Sequence, residues 1–198
     1  IKAEPSTKKE LQDKIKLTDE KYFHIGTSLY PMPQDLKYVI GTSTDELRYV
    51  KVHNKVVMPP EDWRYNEEGK LVSNLFPETN FEVVDLTKGE KKKLEDEYGA
   101  TNWRDYNLKT FGSKWPDCYT EGKVLNGNLF FQFESAWSPL VNLAERISKD
   151  YECTVVLKYH SIDNVDKGEV KFRNGNCYYS RWEEWDIYDE LMVIKEEE

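Results

Sequence analysis

The strongest constraint on the fold is the order of elements predicted in the second half of the chain. Residues 128–135 alternate between apolar and polar side chains, which indicates a half-buried strand. A helical apolar stripe from Leu140 to Ile147 follows, and then a β-prone run at residues 153–160. A hairpin is predicted around Asn174-Gly175, a type I′ turn signal. Together with an earlier helix and strand, this order predicts an α+β ferredoxin-like sandwich, an antiparallel sheet with helices on one face.

Helix starts are predicted at four places from capping patterns. Thr7 and Thr87 each open a capping box, with a Glu three residues later. Thr101 begins a further helix that ends near Gly112. Ser138 followed by Pro is typical of an N-cap and first helical position, and it introduces the apolar stripe described above.

The sequence of the first half of the chain predicts strands and a long insertion. Residues 22–30 and 47–57 are rich in aromatic and β-branched side chains, and each is interpreted as a strand. Residues 43–86 carry many turn signals, and we interpret them as an insertion. The predicted organisation is a single domain over residues 1–182 and an acidic C-terminal helix and tail over residues 183–198.

Composition predicts a cytoplasmic protein. The 198 residues contain 33% charged side chains, and no apolar run approaches the roughly 20 residues that a membrane span needs. The start of the sequence has no signal-peptide pattern, and because residue 1 is not Met we expect the numbering to begin inside a longer protein. Three widely spaced cysteines without a CxxC pair favour reduced thiols.

The net charge of −9 is concentrated at the C-terminal end. Residues 182–198 hold eight acidic side chains and one basic one, which argues against direct DNA binding. Apolar side chains recur there at helical spacing, which indicates an amphipathic helix packed on the sheet. The alternative is a helix that faces a partner, or an acidic patch that imitates DNA phosphates. The candidate partner-binding residues of this segment are Trp182, Glu183, Glu184, Trp185, Asp189 and Glu190.

Three segments carry a resemblance to a known family. They are residues 29–36, the stretch from Tyr98-Gly99 to residues 111–117, and residues 131–139, where a strand runs into Ala-Trp-Ser-Pro. In this order they resemble the YubB-like proteins of phages and plasmids. The resemblance implies a ferredoxin-like domain and an accessory gene of a mobile element. Family members open with a strand that carries Asn-Trp-Cys, of which we expect residues 1–3 to be the remnant.

Four side chains predict an aromatic, partly basic cluster. Trp103, Lys114, Trp115 and Trp137 lie near predicted element ends, where exposed Trp and Lys are typical of a binding hot spot. A purely structural role is the competing interpretation for Trp137, whose ring would cover the sheet edge. If the cluster is a site, we expect it to hold a small nucleotide or nucleic-acid ligand.

Catalysis is not favoured by the sequence. Asp117 combined with Glu121 and Lys123, or with Glu169 and Lys171, resembles the carboxylate and Lys pattern of metal-dependent nucleases. Neither spacing fits that pattern well, and the histidines and cysteines have no metal-ligand spacing. We therefore predict no catalytic residue, no metal site and no cofactor, and keep a metal-dependent hydrolase as the second alternative.

The function predicted from the sequence is binding. We expect a phage or mobile-element accessory protein that acts on a host protein, for example by inhibiting a defence factor. Capture of a nucleotide or nucleic-acid ligand at the aromatic cluster is the first alternative.

Overall fold

Helices and antiparallel strands alternate through the residues that the computed structural model describes, which are 1–15, 24–41, 46–116, 118–136, 138–161 and 166–184. The helices of this part of the chain are α1 Pro5–Ile15, α2 Ile25–Leu29, α3 Gln34–Lys37, α4 Lys88–Tyr98, α5 Trp103–Phe111 and α6 Val141–Asp150. The strands are β1 Val39–Ile40, β2 Arg48–Val52, β3 Lys55–Val57, β4 Arg64–Tyr65, β5 Leu71–Val72, β6 Glu82–Asp85, β7 Cys118–Leu125, β8 Asn128–Glu134, β9 Thr154–His160, β10 Asp166–Arg173 and β11 Asn176–Glu184. The predicted α+β class is confirmed.

Two of the predicted helix starts follow their local signals closely. The capping box of α4 is confirmed, since Thr87 Oγ1 accepts from the Glu90 amide at 3.3 Å and Glu90 Oε2 accepts from the Thr87 amide at 2.8 Å. The N-cap of α5 is Asn102, one residue after the predicted start, and its side chain accepts from the Asp105 amide at 3.0 Å. Gly112 ends α5 with a φ of 84°, which a residue with a Cβ rarely adopts.

The other two predicted helix starts are wrong. One helix begins at an earlier residue, and at the other the predicted cap makes a tertiary hydrogen bond instead. Helix α1 begins at Pro5, so Thr7 lies inside its first turn rather than at the cap. Helix α6 begins at Val141, three residues after the predicted cap Ser138. The Ser138 hydroxyl instead donates to the carbonyl of Gly112 at 2.6 Å, which ties the start of α6 to the end of α5.

The strand predicted over residues 22–30 is also wrong where the structure describes it. Residues 25–29 form α2, and residues 22 and 23 lie outside the described part of the chain. Ile25 and Leu29 are both buried, and their spacing of four places them on one face of a helical turn. Their β-branched and aromatic neighbours suggested a strand, but burial on one helical face decided the outcome.

Strands β9, β10 and β11 form a three-stranded antiparallel sheet in the order β11-β10-β9. The predicted hairpin turn is confirmed, with Asn174 at φ 49° and Gly175 at φ 80°. Strand β11 continues to Glu184, so the helix predicted to begin near Trp182 is wrong for residues 182–184. The rest of the acidic C-terminal segment, residues 185–198, lies outside the described residues.

Ile1 and Lys2 connect this sheet to the hairpin formed by β7 and β8. The Ile1 nitrogen donates to the Leu129 carbonyl at 2.6 Å, and the Leu129 amide donates to the Ile1 carbonyl at 3.1 Å. Lys2 exchanges two backbone hydrogen bonds with Thr154, at 2.8 and 2.9 Å. The first two residues therefore occupy a strand position between β8 and β9.

The principal core lies where α1 and α6 pack against the β9–β11 sheet. Leu140, Leu143, Ala144 and Ile147 are buried as the apolar stripe of α6 predicts. Leu11 and Ile15 of α1 belong to the same cluster, together with Val155, Val170 and Phe172 on the inner face of the β9–β11 sheet. One core therefore joins the beginning of the chain to its second half.

A smaller sheet forms from the chain between α3 and α4. Strand β2 pairs with β1, β3 and β6, and β4 pairs separately with β5. The single strand predicted over residues 47–57 is a hairpin, because His53 and Asn54 both take positive φ values of 49° and 64° in the turn. A separate small core of Ile40, Val50 and Leu71 holds this region. That residues 43–86 are an insertion stays a prediction.

We expect Lys2→Pro to destabilise the fold because proline has no amide hydrogen to donate to the Thr154 carbonyl. The loss should lower the free energy of unfolding by about 1–3 kcal/mol, measured by urea denaturation. The matched control is Lys2→Ala, which keeps the amide and truncates only an exposed side chain, so its effect should stay within about 0.5 kcal/mol. Equal effects from the two variants would show that the bridge to β9 contributes little.

Candidate functional site

The structure brings together three of the four residues of the predicted aromatic cluster. Trp103 is the first residue of α5, while Lys114 and Trp115 follow the end of that helix. The Lys114 ammonium lies 4.1 Å from the centroid of the Trp115 ring and 5.7 Å from that of Trp103. These distances are those of cation–π contacts. Trp137, the fourth predicted member, lies outside the described residues.

Backbone hydrogen bonds hold the segment that carries Lys114 and Trp115. The Trp115 carbonyl accepts from the Ala136 amide at 3.4 Å and lies 3.1 Å from the Ser113 hydroxyl. The same hydroxyl is 2.7 Å from the Ala136 carbonyl, its shorter contact. The chain after α5 is thus attached to the chain after β8. Trp115 nevertheless keeps 46% of its surface exposed.

Asn107 is a member of this site that the sequence did not predict. It lies on α5, is only 7% exposed, and its Nδ2 donates to the Lys114 carbonyl at 2.8 Å. Its Oδ1 is buried and accepts no hydrogen bond from the residues that the structure describes. Buried acceptors without a donor are uncommon in folded proteins. No sequence signal marks Asn107, because an Asn within a helix is most often exposed.

The candidate residues at the C-terminal end are not brought into this cluster by any described contact. Trp182 lies on β11 opposite Gly168, with an exposed ring. Glu183 and Glu184 are the last residues of β11, and Trp185, Asp189 and Glu190 fall outside the described part of the chain. The first residues of the acidic segment therefore belong to a sheet edge rather than to a helix.

A second candidate surface, also missed by the sequence, lies on the small sheet. Six of the twelve large apolar side chains that are exposed among the described residues fall within residues 56–76. Leu75 is the most exposed of them, at 64%, and the adjacent Phe76 is 53% exposed. The others are Val56, Met58, Trp63 and Tyr65, of which the last two rings meet edge to face at 5.8 Å. We refer to these six residues as the apolar set.

The turn that presents Leu75 and Phe76 is organised by one carboxylate. Asp62 Oδ1 accepts from the Ser73 hydroxyl at 2.5 Å, and its Oδ2 accepts from the amides of Asn74 at 2.6 Å and Leu75 at 3.1 Å. Ser73 Oγ in turn accepts from the amides of Leu75 and Phe76 at 3.1 and 3.2 Å. The hydrogen bond from Ser73, followed by those from the two amides, lowers the pKa of Asp62. Two apolar side chains are thus held in solvent by a polar network.

The carboxylates proposed for a metal-dependent hydrolase have other surroundings. Glu169 lies between two lysines, with Lys171 Nζ at 3.3 Å and Lys158 Nζ at 3.9 Å. Glu121 lies on β7 opposite Gln132, and Asp117 is outside the described residues. Within the described ranges, no group of three or more His, Cys, Asp or Glu side chains is placed to hold a metal ion. Nor does any helix there have the length and apolar character required to cross a membrane.

Comparison with known families gives one match, in the second half of the chain. Residues 114–196 match a family model described as a ferredoxin-like domain in Api92-like protein. The second half therefore contains a ferredoxin-like domain. The match begins at Lys114, so it covers less than half of the chain, and its description names neither the YubB-like proteins nor a phage or plasmid. Comparisons with curated proteins and with solved structures gave no match.

The Asp62 network makes a prediction about titration. Because the folded pKa is lowered, the network should be complete above the ordinary carboxyl value of 3.8 and should be lost as the pH falls through the lower folded pKa. In NMR spectra, we expect the amide resonances of Asn74 and Leu75 to shift together with a midpoint below 3.8. Asp62→Asn should abolish the shared transition, whereas a midpoint at or above 3.8 would contradict the network.

Proposed function

We propose that this chain is a non-enzymatic binding protein that docks on another protein through the apolar set, with Leu75 and Phe76 as its anchors. The observation that carries the proposal is the Asp62 network, which holds these two side chains outward. A folded chain gains nothing by exposing apolar surface, whereas burial against a partner stabilises by about 25 cal/mol per Å². Exposed apolar side chains concentrated in one segment are typical of an interaction site.

Preorganisation supports the same proposal. Ordering a flexible loop at an interface costs about 0.5–1.5 kcal/mol for each immobilised side chain. The backbone of residues 73–76 already has fixed hydrogen-bond partners in Asp62 and Ser73, so a smaller part of this cost remains on association. A large side chain on a rigid turn is the arrangement expected of an interface anchor.

Charge defines the chemistry of the partner. Residues 55–82 contain six acidic and three basic side chains. Among the basic ones, Lys70 pairs with Glu68 at 3.0 Å and Arg64 donates to Asn74 Oδ1 at 3.0 Å. Glu61, Glu67 and Glu78 are exposed and form no ion pair with the described residues. The complementary surface is an apolar pocket bordered by Lys or Arg, which would also accelerate encounter.

The biological setting belongs to the same proposal. The resemblance to YubB-like proteins supports an accessory protein of a phage or mobile element, and a small binding protein in that setting acts on a host factor such as a defence component. The C-terminal carboxylates would add a negative field that steers a basic partner.

The first experiment identifies the partner through the surface itself. A photo-crosslinking residue at position 76 should capture one protein in cells that carry the gene, and the same residue at position 124 should not. Val124 is the matched control because it is 53% exposed, as Phe76 is, and lies on β7.

The second experiment measures affinity for the purified partner. Leu75→Ser with Phe76→Ser should weaken binding by about 100-fold or more, since two anchors of about 1.4 kcal/mol each are removed. The fold should keep its stability, because both side chains are exposed. The control pair Val124→Ser with Tyr178→Ser removes similar exposed apolar surface from β7 and β11 and should leave the affinity unchanged. Equal weakening by both double variants would refute docking through residues 56–76.

A further inference from the structure

The cluster of Trp103, Lys114 and Trp115 combines features that protein docking through residues 56–76 does not use. Trp115 presents an exposed indole on a backbone that is already hydrogen-bonded to Ser113 and Ala136. A planar ring held in place at the surface is a stacking platform, since every nucleobase has a π face to lay on it.

Lys114 adds a cation beside that platform. Its ammonium lies within cation–π distance of both indoles, and no carboxylate among the described residues forms an ion pair with it. The aromatic rings hold the ammonium without neutralising it, so its charge stays available to an anion. A ligand that stacks on Trp115 and carries an anionic group a few bonds away would contact both residues.

Asn107 supplies an independent observation. Its buried Oδ1 has no donor among the described residues, and the Nδ2 on the same carboxamide donates to the Lys114 carbonyl at 2.8 Å. The unsatisfied oxygen therefore belongs to a side chain that is hydrogen-bonded to the segment carrying Lys114 and Trp115. A ligand N–H would satisfy it, once that segment moves enough to admit the donor.

We propose that Trp115, Lys114 and Asn107 form a binding site for a nucleoside monophosphate. The base stacks on the face of the Trp115 ring that the Lys114 ammonium leaves open, an N–H group on its edge donates to Asn107 Oδ1, and the phosphate contacts the ammonium. Trp103 also contacts the ammonium, whose nitrogen lies 5.7 Å from the centroid of its ring. This site is separate from the protein-docking surface, and the proposal does not depend on that function.

The number of cations favours a mononucleotide over a nucleic-acid strand. A strand presents one phosphate per nucleotide and requires a series of Lys or Arg side chains along its path. The cluster offers one ammonium. Lys109, on the same helix as Trp103, is already engaged, with Glu95 at 3.1 Å and with the Gly99 carbonyl. The single ammonium of Lys114 can therefore contact one phosphate group, as a mononucleotide presents.

Calorimetric titration of the full chain with AMP, GMP, CMP and UMP at low salt tests the proposal. At least one should bind, and two fragments of that nucleotide should bind at least tenfold more weakly: ribose 5-phosphate, which lacks the base, and the nucleoside, which lacks the phosphate. If AMP is the ligand, its N6,N6-dimethyl derivative should bind at least fivefold more weakly, because it has no amino hydrogen to donate to Asn107. Equal binding of the dimethyl derivative would remove Asn107 from the site.

Matched variants separate the site from the rest of the surface. Trp115→Leu and Lys114→Gln should each weaken nucleotide binding at least tenfold, and Lys114→Gln should also remove its dependence on salt. Trp63→Leu and Lys158→Gln remove an exposed indole and an exposed ammonium elsewhere on the protein. Both variants should bind the nucleotide as tightly as the unchanged protein does. Trp63 belongs to the apolar set, so loss of protein docking with intact nucleotide binding distinguishes the two proposals.

Two outcomes overturn the inference. Absence of measurable binding for all four nucleotides up to about 1 mM, the weak end of specific affinity, would refute the site. Much tighter binding of a ten-residue oligonucleotide than of any mononucleotide would refute the assignment of the ligand and favour a strand.

Discussion

The architecture depends on four backbone hydrogen bonds made by the first two residues. Ile1 pairs with Leu129 of β8, and Lys2 pairs with Thr154 of β9. Without them the β7–β8 hairpin and the β9–β11 sheet have no described ladder in common. A two-stranded hairpin is marginal by itself, so attachment to a larger surface is what makes it stable. This attachment also brings α1 to its place in the principal core, since Pro5 begins that helix three residues later.

The division into two cores explains why the two candidate surfaces differ. The principal core is large enough to bury the helix faces that pack on it, and it leaves Trp115 exposed at the end of α5, where the chain crosses toward β7. Among the described residues, the separate core of the small sheet consists of three buried side chains. With so little interior, its short strands leave the apolar set in solvent, and the turn at residues 73–76 is ordered by Asp62 rather than by packing.

Local signals were reliable where a single interaction decides the structure. The Thr87 capping box and Gly112 at the end of α5 act over one helical turn, and each occurs as predicted. The Asn174-Gly175 turn is equally local. The signals failed where a distant partner competes, as at Ser138, whose hydroxyl bonds to Gly112 of another element instead of capping α6. The prediction of a strand at residues 25–29 was also wrong, because burial of one face of α2 outweighed the β-propensity of these residues.

The sequence by itself determined the α+β class, the order of elements from β8 to β11 and the presence of aromatic and basic side chains near the ends of α5. Periodicity and capping carry that information, since both act between near neighbours along the chain. Only the tertiary structure decided that Lys114 lies over both indoles, that Asn107 Oδ1 is buried without a donor, and that Asp62 holds Leu75 and Phe76 in solvent. These facts depend on contacts between residues distant in sequence or on exposure of the folded surface, and neither is encoded in a local pattern of residue types.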